Sequence, residues 1–407
     1  MGMYLSLAWR NIWRNKKRST ITIASVFFAV VIALFTRSMQ LGSYRHMIRN
    51  AVSFYTGYIQ LHSAGYWDKQ SIDHTFVYSD SLANLLSDVA HVTASTPRLE
   101  SFALLSSGDQ TAGAAVVGIA PQTEDRITKL AGRIVEGAYI GPEDERIILA
   151  RGLAGHLDAV PGDTVVLLGQ GYHGVMAAGK YEVAGLAAFP SPDLDASISF
   201  LSLPAAQSLY GAPLRASAVV FMIDSQSSLS AALSGIRKRV DAFYEVMSWD
   251  EMLPELVEYI EVDNASGLIS LWIIYMVIGF GILGTILMMT MERTREFGML
   301  IAIGMKRSRL AMIIFLESVM LSLIAVLIGS ALGLPLLLYM RGNPITFGGR
   351  TAEVFASYGF EPIMPFSADP VIFLTQGLSI LAMAILAAVY PVVRAFKLAP
   401  VEAFRSA

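Results

Sequence analysis

The chain has 407 residues, 54% of them hydrophobic and only 15% charged, against roughly a quarter charged in an ordinary soluble protein. With a mean hydropathy of +0.53, this excludes a disordered chain and argues against a wholly soluble one. The net charge of -3 lacks the basic excess of a general nucleic-acid binder, and the lack of cysteine excludes a disulfide scaffold, a thiolate zinc site, an iron–sulfur cluster and a cysteine nucleophile.

A basic amphipathic leader, 1–18, carries Arg10, Arg14, Lys16, Lys17 and Arg18. Ser19 to Thr36 is then an 18-residue stretch without a charge. Roughly 20 apolar residues, at about 1.5 Å each, cross the hydrocarbon layer, so a first transmembrane helix is expected over 19–41. Its long basic leader, with no small-x-small cleavage site behind it, reads as an uncleaved anchor. The helical period runs on past Arg37 through Tyr44, Met47 and Ile48.

Residues 42–266 read as a large mixed α/β domain with a stalk, inserted between the first two membrane helices. Strand-like runs are Gly57–Leu61, Ala114–Ile119, Arg146–Leu149, Thr164–Leu168, Lys180–Leu186, Ile198–Leu201 and Ala218–Ile223, separated by turns such as Val160-Pro161-Gly162-Asp163. Helices are expected at Ser79–Val89, Pro204–Tyr210 and, behind a cap at Asp224-Ser225-Gln226, Ser227–Val240. The length suffices for an independent core, in one lobe or two. The acid-rich, helix-like Trp249–Asp263 leads back to the membrane, so two helices side by side would form one stem.

Asn264 to Met291 is uncharged over 28 residues, Leu310 to Met340 is broken only by Glu317, and Pro370 to Val393 is unbroken. They predict spans at 267–290, 310–339 and 370–393. These are separated by a short segment, 291–309, and a loop, 340–369, and followed by a tail, 394–407. The leader, the 291–309 segment and the tail together hold thirteen Lys and Arg against three acids, Glu292, Glu296 and Glu402. The positive-inside rule puts all three, and both termini, in the cytoplasm. The domain would then lie outside the membrane, and 42–265 carries a formal net charge of -12.

Several motifs fail on context. Gly279-Phe280-Gly281-Ile282-Leu283-Gly284 spells a dinucleotide fingerprint but sits inside a membrane span, where small residues allow close helix packing. Gly174 to Lys180 spells most of a phosphate loop, but Tyr181 stands where a magnesium-binding hydroxyl is needed, so a hairpin loop is expected. Gly329 and Gly333 form a small-residue face in the third span. His46, His62, His74, His91, His156 and His173 form no close ligand pair, and Asp193 and Asp195 read as an exposed turn rather than a calcium loop. No G-x-S-x-G elbow is present, so no catalytic, cofactor-binding or metal-binding residue is assigned.

Two features remain. Glu317 is a carboxyl inside a membrane span; such groups are costly and face a helix interface or water. It is either a hydrogen-bonded packing residue or a participant in movement or proton transfer. The second feature runs from Glu292 to Met305, with a charged start, an apolar middle and a glycine stop. This describes an amphipathic helix at the membrane surface, suited to docking in a groove of a cytoplasmic partner, or an ordinary loop held by its basic residues.

The run E-R-T-R-E-F-G-M-L-I-A-I-G-M resembles the coupling segment of ABC-transporter permeases of the FtsX/MacB-like superfamily. The leader's A-W-R-N-I-W-R-N-K-K-R-S and the stretch from Pro391 through Pro400 to Arg405 are similar to the same family, as is the spacing of one span, a large domain and three spans. Gly57-Tyr58-Ile59-Gln60-Leu61-His62 resembles the lipoprotein-releasing (Lol) branch. The resemblance implies a permease in the bacterial inner membrane that pairs with a second copy or paralogue. Two separate cytoplasmic ATPase subunits would bind the ATP and magnesium and push on Glu292, Arg293, Arg295, Glu296, Phe297, Gly298 and Met299. Movement of the periplasmic domain would extract a lipoprotein, lipid or other amphiphile, with a periplasmic carrier as a further partner. The alternative it implies is mechanotransmission to a periplasmic cell-wall hydrolase or signalling partner. Ile301 departs from a basic residue common among relatives. The loop comparable to one relative's chaperone-recruiting hook, Gly169–Gly179, is short and has no proline. Cargo would bind where the external faces of the spans meet the stem, with Leu271, Ile274 and Met276 contributing.

Overall fold

The computed structural model describes residues 2–14, 16–357 and 361–397, so the part of the tail that holds Pro400, Glu402 and Arg405 lies outside the described residues. Helix α1 (Gly2–Arg14) precedes α2 (Lys16–Ala51), which continues into a single π-helical turn, Val52–Thr56. Ten strands of the main sheet follow: β1 (Ile59–Ser63), β2 (Val92–Ser107), β3 (Gln110–Ile119), β4 (Ile134–Gly137), β5 (Ile147–Ala150), β6 (Thr164–Gln170), β7 (Met176–Ala187), β8 (Ile198–Ser202), β9 (Ala218–Ile223) and β10 (Tyr244–Ser248). Among their connections, helix α3 (Pro121–Thr128) matters most below. The chain returns through α4 (Pro254–Glu292), α5 (Thr294–Ala302), α6 (Arg307–Gly342) and α7 (Pro370–Lys397).

Two compact units result. One holds the chain up to His46, Tyr259–Thr346 and the chain from Ile363; the other holds Met47–Glu258 and Phe347–Pro362. In the first, α2, α4, α6 and α7 are each long and apolar enough to cross a membrane. They exceed the expected spans: α2 alone has 36 residues, about 54 Å of helix against roughly 30 Å of hydrocarbon. Val26, Val30 and Leu34 of α2 pack with Leu271, Tyr275 and Ile282 of α4, Ala325 of α6 and Ile380 and Ala384 of α7. The small-residue face of α6 is real, since a Cβ on Gly329 would stand 2.9 Å from Val30. The glycines of the false fingerprint behave otherwise. A Cβ on Gly279, Gly281 or Gly284 would meet nothing within 4 Å, so among the described residues they bring no other helix of this chain close.

The α/β unit is built on one sheet in the order β10-β1-β9-β2-β3-β8-β5-β7-β4, with β6 pairing β2 and β7. Two cores lie along it. The larger holds Leu99, Leu105, Val116, Ile147, Leu149, Leu153, Val165 and Leu201. The smaller holds Ile59, Leu61, Leu82, Leu86, Val219, Phe221 and Ile236. The longest strand, β2, has 16 residues and gave no sequence signal. Thr96, Pro97, Arg98 and Leu99 are all buried in its middle, which hides the alternation, and Pro97 lies just before pairing with β3 begins at Arg98↔Ile119.

One local expectation holds and another changes. The connection from β6 to β7 is only Gly171–Val175, because strand continues through Gly179; the phosphate-loop look-alike is thus a hairpin. Asp193 and Asp195 lie in a short helix, Pro192–Ser197, not an exposed turn. Asp195 staples two loops, accepting from the Gly152 and Phe189 N–H groups at 2.9 Å each.

In β1, His62 is fully buried. It donates through Nδ1 to the Ser217 carbonyl at 2.9 Å and stacks on Tyr66. Burial pushes its imidazole down from 6.5 to about 4. Between these values the unfolded chain binds a proton that the folded chain does not, so stability is present above pH 6.5 and falls as pH drops toward 4. At pH 5 the loss relative to pH 7.5 is roughly 2 kcal/mol. Thermal unfolding of wild type and His62→Gln at the two pH values should show that the variant loses that much less on acidification.

Candidate functional site

The segment after α4 folds as the amphipathic helix its sequence implies. Phe297 and Gly298 are buried, and Ile301 is half-buried. Phe297 packs with Leu310, Ala311 and Ile314 of α6 and Ala395 of α7, with Ile301 against that cluster. Gly304, at φ 105, closes the helix: its N–H donates to the Ile301 carbonyl at 3.0 Å, and Met305 N–H reaches Leu300 at the same distance. Lys306 is extended, and α6 begins.

The hinge between α4 and α5 is Arg293, only 4% exposed. Its Nη1 donates to both carboxylate oxygens of Glu317, at 2.6 and 2.7 Å. The guanidinium lies 5.1 Å from the Phe297 ring centre, a cation–π distance. Glu317, 3% exposed, lies one helix away on α6. Asn11 of α1 approaches the same carboxylate at 3.5 Å. Glu296 completes the set: Arg14 of α1 donates to it at 2.7 Å and Arg293 at 3.4 Å. Three elements therefore converge on Arg293. Alongside, Ile12 of α1 packs with Met289 of α4 and Leu321 of α6, while Trp9 and Trp13 remain exposed, as aromatic side chains are at a membrane interface.

The seven residues grouped from sequence thus divide. Arg293, Phe297 and Gly298 face inward and seat the helix. Glu292, Arg295, Glu296 and Met299 are exposed, and with Leu300 and Ile303 they leave α5 a mixed charged and apolar outer face. Glu317 is the partner that sequence singled out without its mate; as two charges 24 residues apart, the pair has no local signature. Of the three residues expected to meet cargo, Leu271 is buried between helices, Ile274 is half-buried and Met276 is 63% exposed. Met276, with Trp272, Phe280, Leu386 and Tyr390, lines an open apolar groove of about 1000 Å³ between α4 and α7. Among the described residues no three His, Asp or Glu side chains converge as a metal site.

This arrangement can hold a short helix rigidly against a membrane bundle and offer its outer face to a partner. Comparison with known proteins agrees with that class. The MacB-like periplasmic core domain matches residues 19–239, more than half of the chain, and the FtsX-like permease C-terminal domain matches residues 268–400. The chain belongs to the FtsX/MacB-like family of ABC-transporter permeases, proteins of the inner membrane. It is 21% identical to the lipoprotein-releasing system transmembrane protein LolE of Haemophilus influenzae, over 98% of both chains. Among solved structures it is similar to the periplasmic region of MacB from Actinobacillus actinomycetemcomitans. That match has 15% identity and a TM-score of 0.36, covering 52% of this chain and 95% of that one. It is also similar to the extracellular domain of the noncanonic ABC-type transporter YknZ from Gram-positive bacteria, at 14% identity and a TM-score of 0.34, covering 47% and 99%.

Breaking a buried pair by removing one partner costs about 3–5 kcal/mol, because the other charge stays buried alone. Glu317→Gln should therefore lower the thermal midpoint of the purified protein and free α5, seen as faster amide exchange over 294–302. Glu296→Gln, which removes a half-exposed pair with Arg14 and a longer contact with Arg293, should cost less than about 1 kcal/mol.

Proposed function

We propose that this chain is the non-catalytic, membrane-spanning subunit of an ATP-driven complex that extracts an amphiphile, a lipoprotein or lipid, from the outer leaflet of the inner membrane. The leader, the segment carrying α5 and the tail face the cytoplasm, and the α/β domain faces the periplasm. Two separate ATPase subunits bind the ATP and magnesium and seat against the outer face of α5. A second permease, identical or related, completes the membrane part. Closure of the ATPases pushes α5, and the long helices carry the movement to the periplasmic domain.

The observation that carries this reading is the division of α5 into a seated inner face and an exposed outer face. A helix bound only by its own apolar side would slide when pushed; one locked through Arg293 to Glu317 moves the bundle with it. Amphiphile cargo is supported by two further facts. The relative similar over nearly the whole chain is named as a lipoprotein-releasing component, and the groove between α4 and α7 is wide and apolar, suited to an acyl chain.

The reading is tested on cargo and on coupling. Depletion of the chain should strand a particular lipoprotein or lipid in the inner membrane; normal sorting of all of them, with wall cleavage lost instead, would favour mechanotransmission to a cell-wall hydrolase. Met299→Asp combined with Arg295→Glu should leave insertion and the thermal midpoint unchanged, while ATP hydrolysis by the complex becomes at least tenfold less responsive to cargo. Gly298→Leu is expected to act differently, unseating α5 and lowering stability, because that position is buried.

A further inference from the structure

The α/β unit holds a second buried ion cluster, where α2 ends. The π turn Val52–Thr56 stops at Gly57, at φ 66, where a Cβ would stand 2.3 Å from Val220; the chain must reverse there with no room for slack. A helix end leaves carbonyl groups without partners. Here the Tyr55 carbonyl accepts from Arg98 Nη1, and the Thr56 carbonyl accepts from Gln60 Nε2 at 2.6 Å. Arg98, on β2, is 1% exposed and Glu124, on α3, is 0% exposed. The two form a bidentate pair, Nε to Oε2 at 2.9 Å and Nη2 to Oε1 at 2.7 Å. The Tyr55 hydroxyl donates to Glu100 of β2 at 2.8 Å, and Glu100 also lies 3.7 Å from Arg98. The same π turn buries Val52 against Trp249 and Met252, just before α4 begins.

One guanidinium thus joins three elements. Its planar fork satisfies a carboxylate with two donors and leaves a third for a backbone carbonyl, which lysine cannot match. Burial alone would favour loss of its charge, but Glu124 and Glu100 more than offset this and hold it protonated. Such a costly arrangement is weak evidence of a role in stability alone, since well-packed apolar residues are often as stable.

We propose that Arg98 is a positioning residue that clamps the last turn of α2 to β2 and α3, so that motion of the long helix reaches the sheet as a rigid displacement. This rests on the reading of the chain as a permease whose helices carry motion to the periplasmic domain. Without the clamp the π turn becomes a hinge, and ATP is hydrolysed without work on the domain.

The test is Arg98→Met with Glu124→Leu, which removes both charges while filling the space, in the full-length chain purified with its native partners. Amide exchange over residues 52–57 should rise at least tenfold, exchange in β3 should stay at the wild-type rate, and the complex should hydrolyse ATP at its basal rate yet release no cargo. Unchanged exchange over 52–57 overturns the clamp, and raised exchange with normal cargo release overturns its role in transmission. Should the double variant fail to fold, Arg98→Lys, which keeps the charge but cannot bridge Glu124 and Tyr55 together, is read in the same way. Exchange is measured on the chain whether or not an ATPase co-purifies. An intact wild-type complex without an ATPase would therefore overturn the permease reading and the transmission role with it, while exchange would still decide whether the clamp exists.

Discussion

The contact between Arg293 and Glu317 fixes what the rest of the membrane unit can do. Two charges near the ends of apolar helices pay a large desolvation cost, and they recover it only when paired at short distance with their remaining atoms satisfied. Here Arg293 meets both oxygens of Glu317 within 2.7 Å and lies near the face of Phe297. Asn11 and Glu296 surround the pair. Because Arg293 is also the residue on which the chain turns from α4 into α5, the pair fixes the angle of that turn. The apolar contact of Phe297 with α6 and α7 then sets the roll of the helix about its own axis. Position, angle and roll are all constrained, which leaves the outer face of α5 as a defined surface rather than a mobile loop.

A similar economy governs the long helices beyond their apolar stretches. Within the membrane unit, Arg37 of α2 donates to Asn264 at 2.9 Å and Tyr44 to Asp263 at 2.6 Å, adding directional polar ties to the apolar packing of α2 on α4. Arg45 and Ser38 reach Asp369 and Ser367 just ahead of α7. Within the α/β unit, Val52 packs with Trp249 and Met252, and Arg98 holds the carbonyl of Tyr55. In both units directional bonds hold the polar stretches of the long helices, where a pull or a push is resisted only if the contact cannot slip. In the proposed mechanism that is the property a transmitting helix needs.

Much of this was legible in the sequence, for physical reasons that differ by element. Four apolar runs long enough for a bilayer cannot hide, and the alternation of charge, apolar residues and Gly304 marked α5. Strands such as Ala218–Ile223 showed because their β-branched residues are bounded by turns. Residues that serve two masters were illegible. Arg293 looks like a basic flank of a membrane span and is a buried anchor. Glu124 looks like surface charge on a polar helix and is fully enclosed. Arg98, behind Pro97, breaks the pattern of the longest strand while sitting at its centre. Each makes sense only with a partner at least 24 residues away, a distance no local pattern reports. The glycines of α4 differ again, since their spacing suggested close helix packing and within this chain they face open space.

The claim most exposed to direct test is that the outer face of α5 receives an ATPase. The natural chain has no cysteine, so Met299→Cys, 48% exposed at the native residue, would carry its only thiol. Short-arm thiol cross-linking in intact native membranes, followed by mass spectrometry of the product, reads its neighbour. The expected product is a cross-link to a separate protein bearing a nucleotide-binding phosphate loop, lost when Glu317→Gln releases α5. A cross-link only to lipid or to other membrane helices, from a complex shown to be intact and active, would contradict it.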